Sequence, residues 1–241
     1  DLTGPVRGVW TGRDDLPQRW TIAYGRLVLE LKRTDSGHLG LFPEHAETWD
    51  WIAAASASAR PLRLLNLFAY TGGATLAAAA AGAQVTHVDA AKNVVAWARR
   101  NAGLSGLADA PVRWIVEDAM KFVRREVKRG AHYDAVVLDP PSYGHGPHGQ
   151  VWRLSKHLPW LLAHCGQLTA GRRRFVLLTC HTPDYDADRL ARMLADALGS
   201  DEPGTITAGC MVLRTTSGRE LPSGVAVRWE AAPSRMTLRG K

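Results

Sequence analysis

Residues 63–73 read Arg-Leu-Leu-Asn-Leu-Phe-Ala-Tyr-Thr-Gly-Gly, and Ala74–Ala81 after them are nearly all small and apolar. An apolar run of strand length that breaks at two glycines and restarts as a helix is half of a strand–turn–helix unit. Glycines at such a turn let the backbone come close to a ligand and bare amide hydrogens at the helix N-terminus. The pattern then repeats. Further strand candidates are Gln84–Val88, Val112–Val116, Ala135–Leu138, Arg174–Leu178, Ile206–Leu213 and Val225–Trp229. Helical stretches Ala91–Ala102, Ala119–Arg129, Arg153–Leu168 and Ala187–Leu198 lie between them. Apolar strands separated by helices predict a mostly parallel sheet covered on both faces. Thr215–Gly224, with two glycines and a proline, leaves no room for a helix and predicts a hairpin that turns the last strand antiparallel.

The first 45 residues read differently. Trp20–Ala23, Leu27–Leu31 and Leu39–Phe42 are short apolar runs separated by turn residues, which predicts a small antiparallel β appendage over 1–45. An α/β domain is expected over 46–241, opened by a helix at Glu47–Ala59. Of the 241 residues 46% are hydrophobic and 22% charged, the balance of a soluble globular chain. The net charge of +7 suits an anionic partner such as RNA. No charged-then-apolar leader occurs, and no apolar run nears the ~18 residues of a membrane span, so no membrane association is expected. Cys165, Cys180 and Cys210 cannot all pair with one another and lack metal-ligand spacing. That points to a reducing compartment, the cytoplasm, and to no metal.

Chemistry gathers at the strand ends. Val136–Leu138 run into Asp139, Pro140, Pro141, Ser142 and Tyr143, where two prolines stop the ladder and turn the chain. The Asp139 carboxylate and the Pro140 carbonyl can accept hydrogens from a flat nitrogen-bearing ring while Tyr143 stacks on its face. Asp89 ends the second strand, sixteen positions after Gly73, where a carboxylate can accept two ribose hydroxyls or else cap the next helix. Asp118, before Ala119, could take an adenine amine while capping its own helix. Glycine loop, Asp89, Asp118 and Asp139 on successive strand ends make a crevice at the carboxyl edge of the sheet. The pyrophosphate fingerprint G-x-G-x-x-G is absent, so S-adenosylmethionine fits this crevice better than a dinucleotide.

Five helix-linked parallel strands followed by a hairpin pair resemble the Rossmann-like fold of class I methyltransferases. From about Gly37 onward the chain resembles the S-adenosylmethionine-dependent ribosomal RNA methyltransferases of the large-subunit cytosine-C5 group. The likeness rests on Leu65–Gly73, His87–Asp89, Val116–Ala119 and Asp139–Gly144, on the Gly40–Glu44 exit, and on the Gly144–Leu154 loop with Trp152. It implies that Phe68, Tyr70, Thr71, Gly72, Gly73, Asp89, Ala90, Asp118, Ala119, Asp139 and Pro140 line the cofactor, with Phe42 and Glu44 closing over it. Pro141, Ser142, Tyr143 and Trp152 would then face the substrate, a base of ribosomal RNA. The N-terminal RNA-binding module often found in that family is not part of the likeness.

Two mechanisms stay open. Cys180, after the fifth helix-linked strand, could add to C6 of a pyrimidine and make C5 nucleophilic, with Asp139 assisting at N3 and His181 lowering the thiol pKa; the resemblance supports this. A buried structural thiol is the plain alternative. In the second mechanism Asp139 and Pro140 hold an amine or ring nitrogen whose lone pair attacks directly. A small-molecule or protein methyltransferase and a non-catalytic RNA-binding protein of the same fold are the competing functions. His145 and His148 read as a solvated loop, Arg172–Arg174 as a solvated turn, Arg99 and Arg100 as exposed helix face, and Cys165 and Cys210 as core. Arg214, Arg219 and Glu220 lie near the closing hairpin, whose tip faces the crevice in this topology, where they could meet a substrate.

Overall fold

The computed structural model describes residues 17–35, 37–57, 61–145 and 151–232. A hairpin comes first: β1 (Arg19–Tyr24) and β2 (Leu27–Lys32) pair antiparallel around the turn at Gly25. Leu39–Phe42, expected as a further strand, instead runs irregularly into a single 3-10 turn at Pro43–His45. Proline at the first helical position favours that turn over continued pairing. Helix α1 (Ala46–Ser56) follows directly; position 59, the predicted end of that helix, lies outside the described residues.

The α/β part then runs β3 (Arg63–Leu67), α2 (Gly73–Ala80), β4 (Gln84–Asp89), α3 (Lys92–Leu104), β5 (Val112–Val116), α4 (Ala119–Lys128) and β6 (Ala135–Leu138). A hairpin absent from the sequence reading, β7 (Tyr143–His145) with β8 (Val151–Arg153), precedes α5 (Leu154–Thr169), β9 (Phe175–Cys180) and α6 (Ala187–Leu198). Its two strands flank a segment outside the described residues, which includes His148. The chain closes with β10 (Gly204–Arg214) and β11 (Glu220–Ala231), so the final turn is tighter than expected and both strands are longer.

Seven strands form one sheet in the order β10-β11-β9-β6-β3-β4-β5. Only β11 runs against its neighbours, as the hairpin argument requires. From β3 the chain winds outward through β4 and β5, then returns to β6 on the other side. The sheet therefore has its switch point between β3 and β6, where open α/β sheets bind ligands at the carboxyl edge.

Two-residue periodicity divides the core. Leu64, Val137, Phe175 and Leu177 face one side, with α1, α2 and β2; Leu65, Val136, Leu138, Val176, Leu178 and Cys180 face the other, with α4, α5 and α6. The N-terminal hairpin shares the first of these cores. Leu27 and Leu29 pack with Trp49, Ile52 and Leu76. The free edge of β2 is satisfied by side chains of α3 and of Ser105 just beyond it: Ser105 accepts from the Val28 amide, Asn101 Oδ1 accepts from the Glu30 amide, and the Trp97 indole donates to the Glu30 carbonyl. An exposed strand edge is thereby closed without another strand.

Candidate functional site

At the carboxyl edge a cleft of about 770 Å³ opens over the switch point. Phe42, Glu44, Phe68, Tyr70, Asp89, Ala90, Asp118, Ala119, Asp139, Pro140, Pro141, Ser142 and Trp152 all line it. Thr71, Gly72 and Gly73 do not. Thr71 is buried, its hydroxyl donating to the Gly40 carbonyl at 2.5 Å and its own carbonyl accepting from Asn101. Gly73 lies against Trp49, whose ring would meet an added Cβ at 2.5 Å. Thr71 and Gly73 instead line a smaller neighbouring cavity together with Phe42, Phe68, Tyr70 and Asp139.

The loop is held in costly backbone geometry. Phe68 and Tyr70 both stand at positive φ, 55° and 47°, where a bulky side chain is disfavoured by about 1–3 kcal/mol. The arrangement aims the Tyr70 amide at Asp89 Oδ2, 2.9 Å away, while Ala91 N donates to Asp89 Oδ1 at 2.9 Å. Each carboxylate oxygen keeps a further lone pair for a ligand hydroxyl. Burial pushes the Asp89 pKa upward, opposed by the amides of Ala91, Tyr70 and Ala90. Asp89 is not the α3 N-cap, a place taken by Ala91, whereas Asp118 does cap α4 by accepting from Lys121 N. Aromatic walls complete the cradle: Phe68 against Trp152 with centroids 4.9 Å apart, and Phe42 against Tyr70 at 5.4 Å.

The diproline corner is clamped. Trp152 donates its indole N–H to the Pro141 carbonyl at 2.6 Å, Leu154 N donates to the Ser142 carbonyl, and the Ser142 and Thr182 hydroxyls share a bond of 2.7 Å. Among the described residues no donor bonds the Pro140 carbonyl, so it remains able to accept from a ligand. Tyr143 is 52% exposed at the start of β7 and lies outside the cleft lining, so it forms no wall there.

Asp139 is more heavily engaged than its sequence position suggests. Thr179 donates to Oδ1 at 2.7 Å, His181 Nε2 lies 3.5 Å from Oδ1, and His45 Nε2 lies 3.4 Å from Oδ2. Burial alone would raise its pKa, but bonds from His181 and His45 and their charge outweigh it and hold the carboxyl well below the usual range. The same contact with Asp139 raises the pKa of His181 against the cost of burial. His45 had no sequence signal beyond its place after the Gly40–Glu44 exit. His181, read only as a neighbour of Cys180, is a cleft residue itself, and so is Thr182, which carries no sequence signal.

Cys180 is 2% exposed and packs in the core face shared with α5 and α6 rather than opening into the cleft. Thr179, one residue earlier, points to the other face and reaches Asp139, so strand alternation separates thiol and carboxylate. Two further expectations need correction. Cys210 is exposed on the sheet-edge strand β10, and Arg173 is buried, bonded to Thr169 Oγ1 and to the Gly166 and Leu198 carbonyls. Cys165 is core and Arg99 and Arg100 are exposed, as expected. Arg172 reaches Asp134 at 3.1 Å, and Arg214 bridges Glu47 and Glu220.

Residues 9–193 match the family model described as S-adenosylmethionine-dependent methyltransferase. Among solved structures, the SAM-dependent methyltransferase from Agrobacterium tumefaciens is 38% identical with a TM-score of 0.88, covering 93% of this chain and 74% of that one. Magnesium protoporphyrin IX methyltransferase from Synechocystis PCC 6803, solved with bound SAM, is 16% identical with a TM-score of 0.54 over 78% of this chain and 80% of that one; this likeness speaks to the fold alone. The ribosomal RNA large subunit methyltransferase K/L of Syntrophotalea carbinolica is 35% identical over 127 residues, 52% of this chain. The chain spans 17% of the length of that curated relative.

Proposed function

This chain belongs to the S-adenosylmethionine-dependent methyltransferases, and from that membership we propose that it methylates a base of RNA, ribosomal RNA first among candidates, at the Asp139-Pro140-Pro141-Ser142 corner. The observation that carries the reading is one continuous cleft. Its lining joins Asp89 and Asp118, suited to an adenosyl group, to a diproline bend suited to a flat acceptor. The donor set fits the cofactor. Asp89 keeps lone pairs for ribose hydroxyls, Phe68 and Ala119 offer apolar surface to a purine, and Asp118 can accept from an exocyclic amine. When bound, S-adenosylmethionine supplies an electrophilic methyl carbon on its sulfonium.

The chain's own residues do the rest by positioning. Holding acceptor and donor in line is worth up to ~7–11 kcal/mol of barrier, and a corner clamped by Trp152, Leu154 and Thr182 is built to hold a fixed geometry. The Pro140 carbonyl, unbonded among the described residues, can accept an amino or imino hydrogen. Asp139, already engaged by Thr179 and two histidines, sets charge at the corner rather than offering an empty carboxylate. Attack by a base nitrogen is favoured over a cysteine adduct because the Cys180 side chain lies in the core. An RNA substrate is supported by the net charge of +7 and by the activity named for the K/L relative. The cytoplasm is the compartment such a substrate implies, and no helix among the described residues is long and apolar enough to cross a membrane.

The test is transfer of a labelled methyl group from S-adenosylmethionine to ribosomal RNA fragments, followed by nucleoside mass spectrometry. A single methylated base whose yield collapses with Asp139→Ala supports the reading. Tight binding of S-adenosylhomocysteine without transfer to any RNA would move the acceptor to another class.

A further inference from the structure

We propose that His45, Asp139 and His181 form a site for one first-row divalent cation of the zinc type, open on its cleft side. Their ligating atoms come from three separate parts of the fold: a 3-10 turn, the end of β6 and the end of β9. All lie within 4.8 Å of one another.

The spacing is the first argument. The two Nε2 atoms stand 3.3 Å apart; that of His45 lies 3.4 Å from Asp139 Oδ2 and that of His181 lies 3.5 Å from Oδ1, so a cation between the rings would meet the carboxylate through both oxygens. Charge-assisted hydrogen bonds are shorter, about 2.7–2.9 Å. Two nitrogens bound to zinc at ~2.0–2.1 Å in a tetrahedral arrangement stand about 3.3 Å apart, the separation found here. Protons on the two histidines can serve the two carboxylate contacts but leave the 3.3 Å approach of the nitrogens to each other unanswered, whereas a cation between them accounts for it.

The supporting residues are the second argument. His181 Nδ1 donates to the Ser223 carbonyl at 2.5 Å, which fixes the ring and leaves Nε2 to present a lone pair in the neutral form. Metal-bound histidines are held by such carbonyl bonds on the far nitrogen. The carbonyl is placed by a bulge: Met211 pairs with Gly224 and Val212 with Pro222, so Ser223 has no partner in the register. Bulges re-aim groups in this way beside functional sites. Gly224, at φ +137°, fills the bend where any Cβ would stand 2.7 Å from His181 Nδ1. On the opposite side Thr179 orients the carboxylate.

Openness is the third. Asp139 and His181 both line the cleft, so a cation held by three protein groups keeps a position facing the acceptor side. Two histidines, one carboxylate and a free position is the ligand count of reactive rather than structural zinc. That position suits a water, or an oxygen or ring nitrogen of the acceptor. Histidines 136 positions apart have no spacing signature, which is why no metal was expected from sequence.

Chelator-treated full chain titrated with cobalt(II) chloride tests this, read by visible absorption. One equivalent should bind with micromolar or tighter affinity and give the intense bands of four- or five-coordinate cobalt. Zinc chloride should compete it away and raise the melting temperature. His45→Ala and His181→Ala should each weaken binding at least ~100-fold, and Gly224→Ala, which displaces a supporting partner, ~10–100-fold. S-adenosylhomocysteine titration reports whether each variant still folds. Weak, aquo-like cobalt bands in the native chain, or affinity unchanged in both folded histidine variants, would reduce the cluster to hydrogen bonding and overturn the site. If both variants fail to fold, the native spectrum alone decides. No readout involves an acceptor, so failure of the RNA reading would leave each one unchanged.

Discussion

Asn101 donates its side-chain amide to the Thr71 carbonyl at 2.9 Å, joining helix α3 to the glycine loop at full burial. Its other atom, Oδ1, accepts from Glu30 N at 2.8 Å, so one side chain ties the cofactor loop to the N-terminal hairpin. Thr71 in turn holds Gly40 at the root of the segment carrying Phe42 and Glu44. Asn101→Ala strands a buried carbonyl and a part-buried amide at ~1–3 kcal/mol each, so a loss of about 2–6 kcal/mol is expected in urea unfolding. Affinity for S-adenosylhomocysteine should fall as well, because Phe68 and Tyr70 lose the support that keeps them left-handed. Unchanged affinity by calorimetry would show that the loop is fixed elsewhere.

Asp89 is the second target. Its carboxylate draws the amides of Tyr70 and Ala91 and faces the cleft. Asp89→Asn keeps the shape but turns one acceptor into a donor, facing either a backbone N–H or a ribose hydroxyl. Losing two charge-assisted bonds at ~1.5 kcal/mol or more each predicts a fall in S-adenosylhomocysteine affinity of roughly 100-fold or greater. Calorimetry with the variant checks it, and a fall under about fivefold would take Asp89 out of the cofactor site.

Thiol reactivity separates the two chemical routes. Exposed Cys210 should label rapidly in the native chain, whereas Cys165, whose pKa burial pushes up to about 12, and buried Cys180 should stay unlabelled until denaturant is added. Cys180→Ser buries a hydroxyl and should cost about 1–3 kcal/mol of stability. Methyl transfer should survive, with no tritium released from C5-labelled cytosine. Abolished transfer in a folded Cys180→Ser chain would restore the adduct mechanism.

Much of this arrangement is legible in the residues. Apolar runs of strand length and interleaved helices place all seven sheet strands, and Asp89, Asp118 and Asp139 fall into one cleft because each stands at or just past the carboxyl end of a parallel strand. What stays hidden is set by long-range contact. Glycines signal close approach without naming the neighbour, and for Gly73 that neighbour is Trp49 rather than a ligand. A bulge that leaves Ser223 unpaired has no local signature, so the partner of His181 could not be read from the chain. Tyr143 looks like a stacking residue until the β7–β8 hairpin places it outside the cleft lining. Cys180 sits at the right strand end, but alternation alone, without knowing which face the cleft occupies, cannot tell a pocket thiol from a core one.

A buried histidine gives the fold a pH response independent of the cleft. His87 in β4 contacts Thr75 Oγ1 through Nδ1 at 2.9 Å, and its Nε2 has no hydrogen-bond partner among the described residues. Burial, aided by the charge of Arg99, drives its pKa down to about 3. The unfolded chain binds a proton near pH 6.5, while the native chain refuses it until about pH 3. The neutral ring's contribution is therefore full above pH 6.5 and falls as pH drops through the window between those values, at up to ~1.4 kcal/mol per pH unit. His87→Leu, close in volume and unable to titrate, should remove that slope. Urea unfolding of native and variant chains at pH 7.5, 6 and 5 measures the difference. The native curve should fall relative to that of the variant toward acid pH, and parallel curves would mean that the His87 pKa is not lowered in the folded state.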